Sequence, residues 1–190
     1  FPYTPPKRPK YVIKNIYKSI SLCFLFIVSL PIVVIPAFVY DEWKTSYIHM
    51  FGCMYVCHDF VGLLRVPKLS INTRLHHIVS VILLLCSFQL DFATSTLGQS
   101  MFMYTVCSAG SFIVNFYLAL RLDNSFGDLI RLRRLSFYIY LCCCAINWGW
   151  HIKWTFITTF TITHYVYICL LAFIVYDDVV LLQWLLKKNI

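Results

Sequence analysis

Two dipeptides carry most of the chemistry this chain could perform. His58-Asp59 and His76-His77, with Ser80 one helical turn beyond His76, set a carboxylate among imidazoles. A carboxylate beside an imidazole fixes its tautomer and raises its basicity, the conditions acid–base catalysis requires. The competing reading is structural, with Asp59 paired to a histidine or to Arg74 so as to fix helix packing. His49, His151 and His164 lie apart from that group, and histidines on different helices could ligate a haem axially. Nothing in their spacing specifies one. Asp177-Asp178 has the composition of a cation or acid–base site, but its position after an apolar stretch reads more simply as a solvated helix end. The nine cysteines match neither a disulfide framework nor a zinc site and read as buried free thiols. No metal and no cofactor are expected, and the expected ligand is a bound phospholipid or other membrane lipid.

Six apolar stretches must position these residues: 19–40, 46–64, 76–90, 95–120, 135–150 and 155–176. A helix needs about 20 residues to cross about 30 Å of hydrocarbon, so six such helices and their loops use nearly all of the 190 residues. The chain is 60% hydrophobic and only 13% charged, against roughly a quarter charged in soluble domains. Fourteen of its sixteen Lys and Arg residues fall in alternate connections. Lys7, Arg8, Lys10, Lys14 and Lys18 precede the first stretch, and Arg65, Lys68 and Arg74 follow the second. Arg121, Arg131, Arg133 and Arg134 follow the fourth, and Lys187 and Lys188 follow the sixth. Basic residues near membrane-spanning ends stay on the side from which the chain inserts. The alternation predicts an all-α membrane protein, a six-span helical bundle with both termini on the same, basic side. The domain reading is a Pro-rich basic arm (1–18), the bundle (19–180) and a short basic tail (181–190). Arg65, Lys68, Arg74, Arg131, Arg133 and Arg134 are the expected contacts to lipid headgroups, since anionic membrane surfaces attract such residues. The net charge of +8 therefore does not point to nucleic acid.

Finer features qualify this plan. Pro2, Pro5, Pro6 and Pro9 predict an extended arm along the membrane surface. Pro31 and Pro36 predict a kink in the first span. Gly98, Ser108, Gly110 and Ser111 make the fourth span irregular, as a broken helix or two half-helices, and permit close helix approach. Trp148, Trp150 and Trp154 read as an interfacial belt. Asn115, Asn147, Gln89 and Gln99 read as hydrogen bonders between helices. Phe1 stands first and the first forty residues hold no acid, which suits a mature end left by a cleaved targeting segment.

Met54-Tyr55-Val56-Cys57-His58-Asp59-Phe60, a linker with Pro67, and Leu75-His76-His77-Ile78-Val79-Ser80 together resemble the TLC-domain family, which includes ceramide synthases and smaller relatives. Thr94-Ser95-Thr96 is similar to the family's Ser-Thr element, and the run from Asn115-Phe116 to Arg121 to its later helix. The resemblance covers residues 48–122 and implies six spans. In ceramide synthases it implies acyl transfer from acyl-CoA to a sphingoid amine, with His76 and His77 as the catalytic pair. Ceramide synthases also carry a His-Asp…Asp element downstream of the pair. Here residues 78–90 and then Asp91 follow instead, so the smaller relatives, which bind or influence membrane lipids, are the closer comparison.

Two functions are expected from this reading. The first is a TLC-like protein that binds or modifies membrane lipid in a bundle cavity, with His76, His77, Asp59 and His58 as the candidate catalytic residues. Any turnover would be lipid acyltransferase-like. The second is a non-catalytic accessory subunit of a large membrane complex, such as a mitochondrial respiratory complex, with other subunits as partners. Either is an integral multi-pass protein of the mitochondrial inner membrane or the endoplasmic reticulum.

Overall fold

The computed structural model describes residues 9–65, 69, 71–121 and 129–187, and all regular structure among them is helical. Helix α1 (Pro9–Ser29) passes through a π-helical turn (Leu30–Val34) into α2 (Ile35–Tyr40). Helix α3 (Thr45–Arg65), α4 (Ile71–Ser87), α5 (Thr96–Gly110), α6 (Phe112–Leu120), α7 (Leu129–Ile157) and α8 (Ile162–Leu186) follow. Four stretches are long and apolar enough to cross a membrane: Tyr11–Tyr40, Thr45–Arg65, Thr96–Leu120 and Ile162–Leu186. Helix α4 is apolar but shorter, and the 29-residue α7 is long but more polar.

The distribution of side chains is that of a protein solvated by hydrocarbon. On α1, Ile13, Tyr17, Ile20, Phe24 and Ile27 recur at helical spacing and face outward, 59–69% exposed. Asp59, His77, Ser100, Ser136, Asn147, His151 and Asp178 are buried instead. A water-soluble fold hides its apolar surface, and patches this continuous mark a membrane or partner surface. In a membrane the polar side chains turn to the interior, where they can find one another.

Local chemistry explains the breaks. Pro31 removes a backbone donor, and the helix widens into the π turn instead of ending there. The expected kink is thus a change of helical pitch. Asp41 closes α2 in the left-handed conformation, at φ 57°, and its Oδ1 accepts the Trp43 indole N–H at 2.7 Å. The expected division of the fourth span is present: α5 ends at Gly110, Ser111 intervenes and α6 begins at Phe112. Serines satisfy the backbone around that break. Ser111 Oγ donates to the Ser108 carbonyl, Ser19 Oγ to that of Phe112 and Ser136 Oγ to that of Ile113. A Cβ on Gly110 would lie 3.1 Å from the Phe26 ring and 3.5 Å from Cys143 Sγ, so the glycine lets α1 and α7 close on α5.

Four expectations change. The extended arm ends by Pro9: residues 9–18 are helical, with Val12 and Asn15 buried, because Pro9 occupies the first helical position, where a missing N–H costs nothing. Residues 1–8 lie outside the described part. The tail also belongs to the bundle, since α8 runs to Leu186 with Leu182 and Leu185 buried. The sixth helix begins at Ile162 and not near 155, because the threonine-rich turn at 158–161 is a poor helix former and Thr161 caps α8. Trp154 is 3% exposed and packs against Tyr167 and His164, so it is a core residue, not part of a belt.

Candidate functional site

The first half of α1, the last turns of α3, the first turns of α4 and the second half of α8 meet at one end of the bundle. There Lys18 Nζ donates to Asp59 Oδ1 at 2.6 Å. His77 Nδ1 lies 3.0 Å from the same oxygen, at ion-pair distance but too oblique for a hydrogen bond. Asp59 is 1% exposed, and among the described residues its Oδ2 has no hydrogen-bond partner. Removing one member of such a buried pair leaves the other charge uncompensated. Gly62 keeps the space open: a Cβ there would sit 3.4 Å from His77 Nε2 and 2.7 Å from Lys14 Nζ.

His76 is the neighbour of His77 but points about 100° around the helix and meets different elements. Its Nδ1 lies 3.3 Å from Asp177 Oδ2 on α8, and its Nε2 3.4 Å from the Tyr104 hydroxyl on α5. The His76 side chain is 19% exposed, against 7% for His77. Like His77 Nδ1, His76 Nδ1 is at ion-pair distance from its carboxylate without a hydrogen bond to it, and the Tyr104 contact is a long one. Asp178 turns to a different face of α8, is buried, and accepts the Tyr140 hydroxyl at 2.6 Å.

A small apolar cleft, with room for about 40 Å³, opens between α3, α4 and α5 beside this cluster. Val56, Leu83, Leu84, Met101 and Phe102 line its walls, with Gly52 at one side. Its polar groups include Tyr55, Ser80 and Tyr104, and Tyr104 is the residue that touches His76. Apolar walls with a few convergent hydroxyls have the lining of a small-molecule site, although the room between them is far smaller than the several hundred Å³ of a drug-sized pocket.

The structure joins three of the four residues read as catalytic, in two separate groups. His77 and Asp59 share one, His76 belongs to the other, and His58 joins neither, packing edge-on against Tyr17 at 5.8 Å between ring centres. Arg74 is exposed and is not the partner of Asp59; that place is taken by Lys18. Arg65, Arg131 and Arg134 are exposed, while Arg133 is half-buried and donates to the Lys187 carbonyl at 2.7 Å. Lys68 lies outside the described residues. The solvated-end reading of Asp177-Asp178 does not hold for Asp178, which is 7% exposed on the inward face of α8. Gln99 bonds the Phe92 carbonyl of its own loop, not another helix. Ser95 of the Thr94-Ser95-Thr96 element caps α5, accepting from the Gly98 N–H.

The remaining histidines are held by neutral neighbours. His151 makes 2.7 Å hydrogen bonds through both ring nitrogens, to the Tyr167 hydroxyl and the Asn147 carbonyl. His164 caps α8 at Thr161, and His49 Nε2 meets the Ser87 carbonyl at 2.9 Å. Lys18, Tyr104 and Tyr140 are the residues near the site that sequence reasoning missed, while Asp177-Asp178 was marked as a pair and read as a solvated helix end. The one available signal was for Asp178: Tyr167, Leu171, Ile174, Asp178, Leu182 and Leu185 form a single helical stripe, and all six are buried.

No family model, curated protein or solved structure matches this chain. The chemistry of the site rests on its own geometry.

Proposed function

We propose that this is a six-span, TLC-like membrane protein, with both termini on the basic side, that binds a membrane lipid in the cleft between α3, α4 and α5. The observation that carries this reading is the junction of an apolar cleft with the Tyr104–His76–Asp177 chain. An acyl chain would lie along Leu83, Leu84 and Met101, and the polar end of the lipid would meet Tyr104 and His76. His76 is the residue for any acid–base step, because it stands 3.3 Å from the Asp177 carboxylate and 3.4 Å from Tyr104, which lines the cleft. His77, Asp59 and Lys18 act as a clamp that joins α1, α3 and α4, and their contribution is to position α4. The exposed arginines at the helix ends suit contact with anionic headgroups.

The test is native mass spectrometry of the full chain extracted in mild detergent. The expected result is about one lipid per chain, with occupancy falling about tenfold or more, some 1.4 kcal/mol, in Gly52→Leu, whose side chain enters the cleft beside Leu84. His76→Gln should keep the lipid, and if the lipid is converted, turnover should fall about 10²-fold or more. Equal lipid content in wild type and Gly52→Leu would overturn the reading. A stoichiometric particle of several proteins with no lipid in the cleft would make the chain a subunit of a larger complex.

A further inference from the structure

A second, smaller pocket, with about 10 Å³ of room and so space for at most one water-sized ion, lies between α5, α7 and α8. It is distinct from the cleft, although Ser108 on its wall also reaches the Tyr55 and Tyr104 hydroxyls that line the cleft. Its walls bring four oxygen-bearing side chains together: Asp178, Asn147, Tyr140 and Ser108. Asp178 is 7% exposed and Asn147 is 3% exposed. Among the described residues Asn147 Oδ1 is buried without a hydrogen-bond partner. Tyr140 spends its proton on Asp178 Oδ1, which leaves the lone pairs of the phenol oxygen available.

The charge around Asp178 is unbalanced at short range. Among the described residues no Lys, Arg or His nitrogen lies within ion-pair distance of it, and His76 is taken by Asp177. A buried carboxylate at membrane depth needs a counter-ion or a proton. One carboxylate with neutral carbonyl and hydroxyl oxygens suits a hard monovalent cation. A divalent ion would leave a buried net charge, and calcium sites usually gather more carboxylates. Cys107 and Cys144 also line the pocket, but thiols select softer metals. Among the described residues no three His, Cys, Asp or Glu side chains come close enough to hold such a metal.

We propose that the pocket between α5, α7 and α8 holds a single monovalent cation of sodium size, bound by Asp178, Asn147, Tyr140 and Ser108. The ion would tie the second half of α8 to α5 and α7. The experiment is thermal unfolding of the purified full chain in nanodiscs, at fixed pH and ionic strength, with sodium, potassium or N-methylglucamine as the cation. Sodium should raise the midpoint saturably, and potassium should do so less. Asn147→Ala should raise the half-saturating sodium concentration about tenfold, in the range seen when groups supporting a bound ion are removed. Asp178→Asn should abolish the response, whereas Asp177→Asn, which alters the neighbouring acid facing His76, should retain it. If Asp178→Asn does not fold, Asn147→Ala decides. The same midpoint in sodium and N-methylglucamine would mean that the pocket holds water and a proton, and would overturn the proposal. Equal rises in sodium and potassium, or an unchanged response in Asn147→Ala, would overturn it as well.

Discussion

The two ends of the bundle each bury histidine, and they do so in opposite ways. At the end that holds Trp154, His151 sits between two neutral groups at 2.7 Å on either side. At the other end His76 and His77 sit among charges, with contacts of 3.0–3.4 Å to Asp59, Asp177 and Tyr104. Short hydrogen bonds to both ring nitrogens fix an imidazole and leave it no capacity for a ligand. Longer contacts beside an apolar cleft keep that capacity. The comparison separates a histidine bonded on both sides by neutral groups from histidines set among charges, although composition alone makes them equivalent.

The sharpest way to break this comparison is to remove a charge. Asp59→Ala leaves Lys18, 16% exposed, without its partner, and should cost about 3–5 kcal/mol. Denaturant unfolding in micelles measures this, and Asp59→Ala with Lys18→Met should recover much of the loss. A cost below about 1 kcal/mol would mean that the charged end is not held by this pair. A smaller effect is expected at the neutral end. Tyr167→Phe deprives His151 Nε2 of its buried partner and should cost about 1–3 kcal/mol. If it cost as much as Asp59→Ala, the contrast between the ends would collapse.

The smallest effect belongs to the connection between α4 and α5, outside the spans. The Thr45 hydroxyl, at 2.6 Å, and the Ala93 N–H hold the Asp91 carboxyl below the ordinary carboxylate value. Folding thus favours the charged form. The stabilisation is complete above the unfolded value of about 3.9 and is lost as pH falls below it through the lower, folded value. Hydrogen exchange of residues 91–98 should accelerate on acidification in that range, and Asp91→Asn should remove the pH dependence. Because Asp91 is exposed, global stability should barely respond.

Much of the site could be read from adjacency and much could not. Asp59, His76 and His77 stand out because ionisable residues within apolar stretches are rare. Lys18 did not, because a lysine near the start of a span reads equally well as a topology signal. Its partner Asp59 is 41 residues away. Tyr104 is 28 residues from His76, and a tyrosine in an apolar helix carries no mark of its role. Asp177 and Asp178 were visible as a pair, but adjacent residues on a helix point about 100° apart. One therefore meets His76 and the other Tyr140. Helix α8 is apolar on nearly every side, so no polar face shows which acid turns inward.

Composition and the order of apolar stretches by themselves determined that this chain is helical, that its exterior is apolar, and that the fourth stretch, with Gly98, Ser108, Gly110 and Ser111, is irregular. Those properties come from local terms: hydrocarbon leaves the backbone no partner but itself, and proline, glycine and serine act on the turn they occupy. Only the tertiary structure decided which histidine meets Asp59 and which meets Asp177, that Lys18 pairs with Asp59, and that Asp178 lies inside with Asn147. These are questions of helix rotation and pairing. They are settled by contacts between residues far apart in the chain, where a rotation of a few tens of degrees exchanges one partner for another.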